Sequence, residues 1–384
     1  MASLLYPDET LLPTDEFSER MYLSKKLEIY DGQNQVDPLA SFSDSTAVIG
    51  AEPDLLTNDE ISSPRRQPSN WKPLRILAGA HQGWVRSVAV DPGTNLWFVL
   101  GLTDAQIKVW DLASGDVRAT ISGHIMAVRS LVVSKKYPYL FSGSEDKTLR
   151  CWDLEKTNST SGCQIRSYHG HVGGVYALAL HPELDVLFSS GRDSAVRVWD
   201  VRSRVQAMAL TGHSGDVTAL FAQTGDPQVV LAGMDGTIRL WDLRNQKCAL
   251  TLAQHSKGIR LLVKHPHELT MVSADATGTI NQWVLPGGQL LNRLVTPESA
   301  QHDTNIINTL AINPDTNDLF AGYGDGRMNF YDYESGEVMQ QTKTKPTEGT
   351  PSSTIYASTF DMLGMRLITC ENDKSIKIWS QEHH

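Results

Sequence analysis

The chain has 384 residues, 40% hydrophobic and 20% charged, ordinary values for a globular fold that exclude collagen-like, coiled-coil and wholly disordered classes. No window approaches the roughly 20 uninterrupted apolar residues of a membrane helix, so no membrane partner is expected. The net charge of −10 is uneven: residues 1–70 hold 13 acidic and 5 basic side chains, residues 71–384 hold 31 and 29, which disfavours wholesale electrostatic coating of nucleic acid but leaves room for local basic patches.

Residues 1–70 are rich in Asp, Glu, Ser and Pro and are expected to form a mostly disordered or partner-ordered acidic arm. The first residues lack a basic region followed by an apolar core, so no secretory signal is expected and a cytosolic or nuclear location follows. Within the arm, Phe17, Met21, Leu23, Leu27 and Tyr30 stand at helix-compatible spacing behind Thr14. This predicts a short helix over 15–30, marginal alone, which either folds into a partner's groove or stays transient. Cys151, Cys163, Cys248 and Cys370 lie far apart with no CxxC, so reduced thiols are expected rather than a disulfide framework or zinc site.

Downstream, the chain repeats. Trp-Asp recurs at Trp110, Trp152, Trp199 and Trp241, and degenerate copies follow at Trp283-Val284, Tyr331-Asp332 and Trp379-Ser380. Upstream of each of the first six aromatics stands a His: His81, His124, His171, His213, His255 and His302. Asp104, Asp146, Asp193, Asp235, Asp325 and Asp373 precede the aromatic at one fixed distance, and only the fifth unit departs, with Thr277. Segments such as VRSVAV (85–90), YLFSGS (139–144) and RVWDV (197–201) read as strands between turn residues such as Asp91-Pro92-Gly93 and Pro286-Gly287-Gly288. Periods near 45 residues signal a repeat architecture.

These marks resemble the WD-repeat family over about residues 71–384. The resemblance implies an all-β fold, a seven-bladed β-propeller with four antiparallel strands per blade. The division is then 1–70 arm and 71–384 propeller. It further implies that Trp71–Ala78 supplies the outer strand of the blade closed by Ser375–Trp379, removing a sheet edge. In that family the His, a strand Ser or Thr, the turn Asp and the Trp form a hydrogen-bonded tetrad. The second unit fills the slots with His124, Ser142, Asp146 and Trp152, and the third with His171, Ser189, Asp193 and Trp199. The strand slot is apolar at Leu100, Leu231 and Ala321, so those blades are expected to lack the full network. Leu100-Gly101-Leu102 also marks the first blade as the less stable one.

No P-loop, G-x-S-x-G or HExxH occurs, and Gly322-Tyr323-Gly324-Asp325-Gly326 reads as a tight strand turn. One His and one Asp per blade spread around a ring rather than converging on an ion. No enzyme activity, cofactor, metal site or small-molecule substrate is therefore expected, and function falls to the loops of a rigid scaffold. Trp84 breaks the small or polar choice of Ala127, Gly174, Asp216 and Gly258, and is either an exposed anchor or core packing. The next column runs Arg86, Arg129, Tyr176, Thr218, Arg260, Asn308 and Tyr356. It reads either as a ring near the channel mouth suited to protein hot spots, phosphate or base stacking, or as inter-blade salt bridging. Arg192, beside Asp193, belongs to the same face. Arg202 and Arg244 complete successive WDxR motifs, which resemble the docking motif of WD-repeat substrate receptors of a cullin-type ubiquitin ligase.

The residues between the marks narrow the resemblance. HQGWVRSVAVDP (81–92), SGHIMAVRSLVVS (122–134), PYLFSGSEDK (138–147), YHGHVGGVYAL (168–178) and IINTLAIN (306–313) are together similar to the pleiotropic regulator family of splicing proteins. This implies a nuclear scaffold that binds several spliceosomal proteins of the NineTeen complex and associated factors, with spliceosomal small nuclear RNA nearby or in contact. The short, acidic arm departs from the longer, partly basic tails of that family.

Overall fold

Period-two burial punctuated by Asp-, Pro- and Gly-rich turns gives 28 strands among the described residues. The computed structural model describes residues 70–78, 81–157, 162–226, 228–294, 306–347, 350 and 352–381. The arm and the helix expected over 15–30 lie outside them.

The strands form seven antiparallel sheets of four, the blades of a propeller, labelled here a to d outward from the centre. The a strands are Val85–Val90, Val128–Val133, Val175–Leu180, Val217–Ala222, Ile259–Lys264, Ile307–Ile312 and Ile355–Phe360. Each touches the next and the last touches the first, so they close a ring around the central channel. The b strands are sealed on both faces by neighbouring blades, and Val186–Gly191 is buried along its whole length. The d strands face outward.

The apolar core lies between blades rather than within them. Seven clusters each straddle one seam. One joins Val99, Ile107 and Ile121 of blade 1 to Val128, Leu140 and Trp152 of blade 2. The Gly of the Gly-His pair is explained by a close approach: a Cβ on Gly123 would stand 2.8 Å from Cη2 of Trp152.

Strand Trp71–Leu77 pairs with Ile376–Gln381, with Trp71 opposite Gln381 and Leu77 opposite Ile376. The first strand of the ring is thereby the outer strand of the last blade. Trp71, 2% exposed, stacks on Phe330 of blade 6 at 5.6 Å. Its backbone exchanges hydrogen bonds with the Gln340 side chain at 2.8 and 3.1 Å. This strand therefore fastens its own blade and the neighbouring one.

Candidate functional site

One face carries the His-bearing d–a loops and the Asp-bearing b–c turns. In blade 2 the Trp152 Nε1–H donates to Ser142 Oγ at 2.8 Å, Ser142 Oγ meets His124 Nε2 at 2.7 Å, and His124 Nδ1 donates to Asp146 at 2.8 Å. Blade 3 has the same chain at 2.8, 2.7 and 2.9 Å through Trp199, Ser189, His171 and Asp193. A carboxylate only accepts, so Nδ1 carries the proton and Nε2 receives the serine's. Burial acts against the Asp146 charge, but hydrogen bonds from His124 and Thr148 outweigh it and hold the carboxyl well below its usual range. In the same way burial opposes, and His213 and Thr237 overcome, at Asp235, which is held down to about 2.

Three units depart from this arrangement. In the fifth, Thr277 is not the acid's replacement. Asp275, two residues earlier, accepts from His255 Nδ1 at 3.4 Å and from the Thr277 hydroxyl at 2.6 Å. Ser273 completes that tetrad at 2.7 Å from His255 Nε2 and 2.8 Å from Trp283 Nε1. In the sixth, with Ala321 in the strand slot, Tyr323 and Tyr331 pair their hydroxyls at 2.9 Å; His302 lies outside the described residues. In the seventh, Trp379 donates to Thr369 at 2.9 Å. The same blade holds a buried ion pair, Lys377 Nζ to Glu371 at 2.5 Å, with Asp373 at 3.8 Å from the same nitrogen. Where the slot is Leu100 or Leu231, the Nε1 of Trp110 and Trp241 and the Nε2 of His81 and His213 have no partner among the described residues.

The column Arg86, Arg129, Tyr176, Thr218, Arg260, Asn308 and Tyr356 has a common backbone cause. In every blade the a–b register slips at that residue: Val85 faces Leu102 while Ser87 faces Gly101, and the same skip recurs at all seven positions. A bulge re-aims the extra side chain, here at the start of each strand lining the channel. The structure brings the column together. The Arg86 guanidinium lies 4.7 Å from the Tyr356 ring and 5.8 Å from the Trp84 ring, and the two rings stack at 6.0 Å. Arg129 lies 5.0 Å from the Tyr176 ring and pairs with Glu145 at 2.6 Å. Burial and then the charges of Arg129 and Arg86 lower the pKa of Arg260, which has no acidic partner of its own among the described ion pairs. Thr218 and Asn308 are instead spent on neighbouring backbone, donating to the Ile259 and Ile355 carbonyls at 2.6 and 3.0 Å.

Trp84 is 41% exposed, outside the core, beside Ile125 and Met126, themselves 82% and 48% exposed. These three, with Arg86, Glu145 and Lys374, border a depression of about 630 Å3. Arg192 is exposed on the blade 3 b–c turn, on this face but outside the column. Sequence reasoning missed Glu145 as the Arg129 counter-ion, although its place one residue before the turn Asp was visible. Arg202 and Arg244 lie on the opposite face, in the c–d turns of blades 3 and 4. The Arg202 guanidinium is held at 2.5 Å by Asp185, and bonds to Tyr137 and Asp185 raise its pKa.

Among the described residues no cluster of three or more His, Cys, Asp or Glu could hold a metal ion. Burial pushes the Cys151 thiol up to about 12, leaving it protonated. The ring closure, the tetrads and the re-aimed channel residues define a WD-repeat propeller that presents its loops on two faces. The profile described as "WD domain, G-beta repeat" matches residues 71–111, 115–153, 162–200 and 204–242. The chain is 55% identical to pre-mRNA-splicing factor PRP46 of Candida albicans over 98% of its own length and 96% of the relative's. It is 54% identical to the protein of that name from Debaryomyces hansenii over 97% and 92%, and 53% identical to pleiotropic regulator 1 of Bos taurus over 13% and 10%. It belongs to the PRP46 (pleiotropic regulator 1) family of WD-repeat splicing factors.

Proposed function

We propose that the protein acts in pre-mRNA splicing, in the nucleus, as a non-catalytic scaffold associated with the NineTeen complex. The observation that carries this reading is the extent of the likeness to splicing factors, 98% of the chain including the stretches between repeat marks. The geometry adds a reason for scaffolding: a ring braced at every seam holds its loops at fixed separations, so partners bound to different blades are held in register. On this reading Trp84, Arg86, Arg129, Tyr176, Arg260 and Tyr356, with Arg192 at their margin, receive a splicing partner. Aromatic plates with guanidinium groups above them are the composition of interface hot spots.

The test is gentle purification of the tagged full-length chain from nuclear extract, with sequencing of the bound small RNAs and mass spectrometry of the bound proteins. Spliceosomal small nuclear RNAs and NineTeen components are expected, and Trp84→Ala combined with Arg86→Glu should deplete at least one bound protein on the order of tenfold, the consequence of losing about 1.4 kcal/mol. Recovery of a cullin adaptor without any such RNA overturns the reading.

A further inference from the structure

The repeat supplies its own control for the opposite face, where the a–b and c–d turns lie. Most a–b turns there are polar, such as Pro182-Glu183-Leu184-Asp185 in blade 3 and Pro314-Asp315-Thr316-Asn317 in blade 6. Blade 7 instead has Asp361-Met362-Leu363-Gly364-Met365. Met362, Leu363 and Met365 are 49%, 62% and 54% exposed, and Leu96, in the facing turn of blade 1, is 57% exposed. None of the four belongs to a seam cluster, so the fold does not require them. Between the two turns lies a cleft of about 320 Å3 lined by Leu96, Leu112, Leu363, Met365 and Arg366 among others. Its walls are tied across the closing seam: Asn95 Nδ2 reaches Asp361 at 3.4 Å, and the Met362 N–H donates to Asn95 Oδ1 at 3.2 Å.

Carboxylates stand on both flanks of this apolar stripe. On the blade 1 side stand Asp111 and the exposed Asp116. On the blade 6 side stands the exposed Asp315, whose Cβ would be 2.8 Å from a Cβ on Gly364. Three cations stand nearby. Arg118 is drawn to Asp111 at 3.9 Å, Arg75 donates to the Ala113 carbonyl at 3.3 Å, and Arg366 lines the cleft.

We propose that this cleft is a docking site for a basic amphipathic helix of a partner protein. An apolar stripe bordered on both sides by carboxylates is complementary to a helix whose apolar residues repeat at i, i+3 and i+4 with Lys or Arg on either flank. Methionine side chains repack around such a ligand at little cost. The acidic flanks repel nucleic acid. The inference is independent of the splicing assignment and of the channel-mouth residues.

The experiment uses the full-length chain and a fluorescein-labelled synthetic helix of Leu and Lys at that spacing, followed by fluorescence anisotropy. Binding is expected, with Leu363→Asp and Asp315→Lys each weakening it on the order of tenfold, Trp84→Ala leaving it unchanged, and the same helix with Glu in place of Lys failing to bind. Both substituted side chains are exposed, so circular dichroism should show an unaltered fold, and Leu96→Ser provides a further variant on the other wall. Equal binding of the Glu helix, or unchanged affinity in Leu363→Asp and Leu96→Ser, overturns the proposal. So does a concentration-dependent dimer in sedimentation that Leu363→Asp abolishes, since the occupant is then a second copy.

Discussion

At the scale of residues, a single missing hydroxyl changes the chemistry of a histidine. His124, His171 and His255 have serine at Nε2 and a carboxylate at Nδ1. His81 faces Leu100 instead and has neither, although it is only 5% exposed. Burial first, and then the charge of Lys108, push its pKa down to about 4. His181 reaches about 4 by burial and the charge of Lys136, and its Nδ1 accepts the backbone amides of Glu183 and Leu184 at 3.2 and 3.0 Å, which a protonated ring cannot do. Both folded values lie below the unfolded value of about 6.5, so the unfolded chain binds more protons between these limits. Stability should therefore be complete above about pH 6.5 and fall as the pH drops toward 4, by up to about 3 kcal/mol per residue. Urea unfolding at about pH 7 and about pH 5 checks this. His81→Gln should flatten the dependence, and an unchanged slope in that variant would show that His81 is not its source.

At the scale of elements, the turn following each b strand has one geometry and several sequences. The residue after the turn Asp, or after Thr277 in blade 5, has a positive φ in all seven blades: 66° at Ala105, 69° at Lys147, 56° at Ser194, 76° at Gly236, 90° at Gly278, 84° at Gly326 and 64° at Lys374. The left-handed region costs a side chain roughly 1–2 kcal/mol, so four blades bear that cost and three avoid it with glycine. Gly236→Ala should destabilise by about 1 kcal/mol, the more so because a Cβ there would meet the Lys257 carbonyl at 3.2 Å. Ala105→Gly should be neutral within about 1 kcal/mol, since relieved strain is offset by a more flexible unfolded chain. Thermal unfolding of the two variants side by side tests the difference, and equal effects would mean that the φ values are not what distinguishes them. Gly326 was readable as part of a tight turn. The shared conformation at Ala105, Lys147, Ser194 and Lys374 was not, because nothing in those side chains announces it. The fifth tetrad was not legible in the spacing for a related reason. Its carboxylate sits at Asp275, in the strand, and only the fold shows that a side chain two positions away reaches the same imidazole.

At the scale of the whole molecule, closure is a property of the two ends of the ring. Strand Trp71–Leu77 pairs along Ile376–Gln381 while its Trp71 inserts against Phe330 and Phe360 of the adjoining seam. A chain beginning at Ala78 should lose both contacts and expose a sheet edge. Expected are aggregation in size-exclusion chromatography and loss of near-ultraviolet dichroism, whereas a chain beginning at Asn70 keeps both strand and tryptophan. A monomeric, equally stable chain from Ala78 would show that the closing strand is dispensable. The other seam of the closing blade, between blades 7 and 1, holds the apolar cleft of Leu96 and Leu363, a surface found at no single repeat.

The sequence by itself determined the number of repeats, because their marks are residue types at a fixed local spacing, and the family resemblance those marks carry implied the four-stranded blade, the closing strand and the two regular tetrads. It also marked the channel column, since one position in each repeat can be compared with its six counterparts. Only the tertiary structure decided which members of that column meet. Arg86, Trp84 and Tyr356 are adjacent because blade 7 packs on blade 1, at opposite ends of the propeller sequence. The cleft beside Leu96 and Leu363 has the same origin, because it forms where turns of blades 7 and 1 face one another. The bulge and the Lys377–Glu371 pair instead lie between neighbouring strands of a single blade, and there the register of the pairing, which residue type alone does not announce, decides which side chains meet.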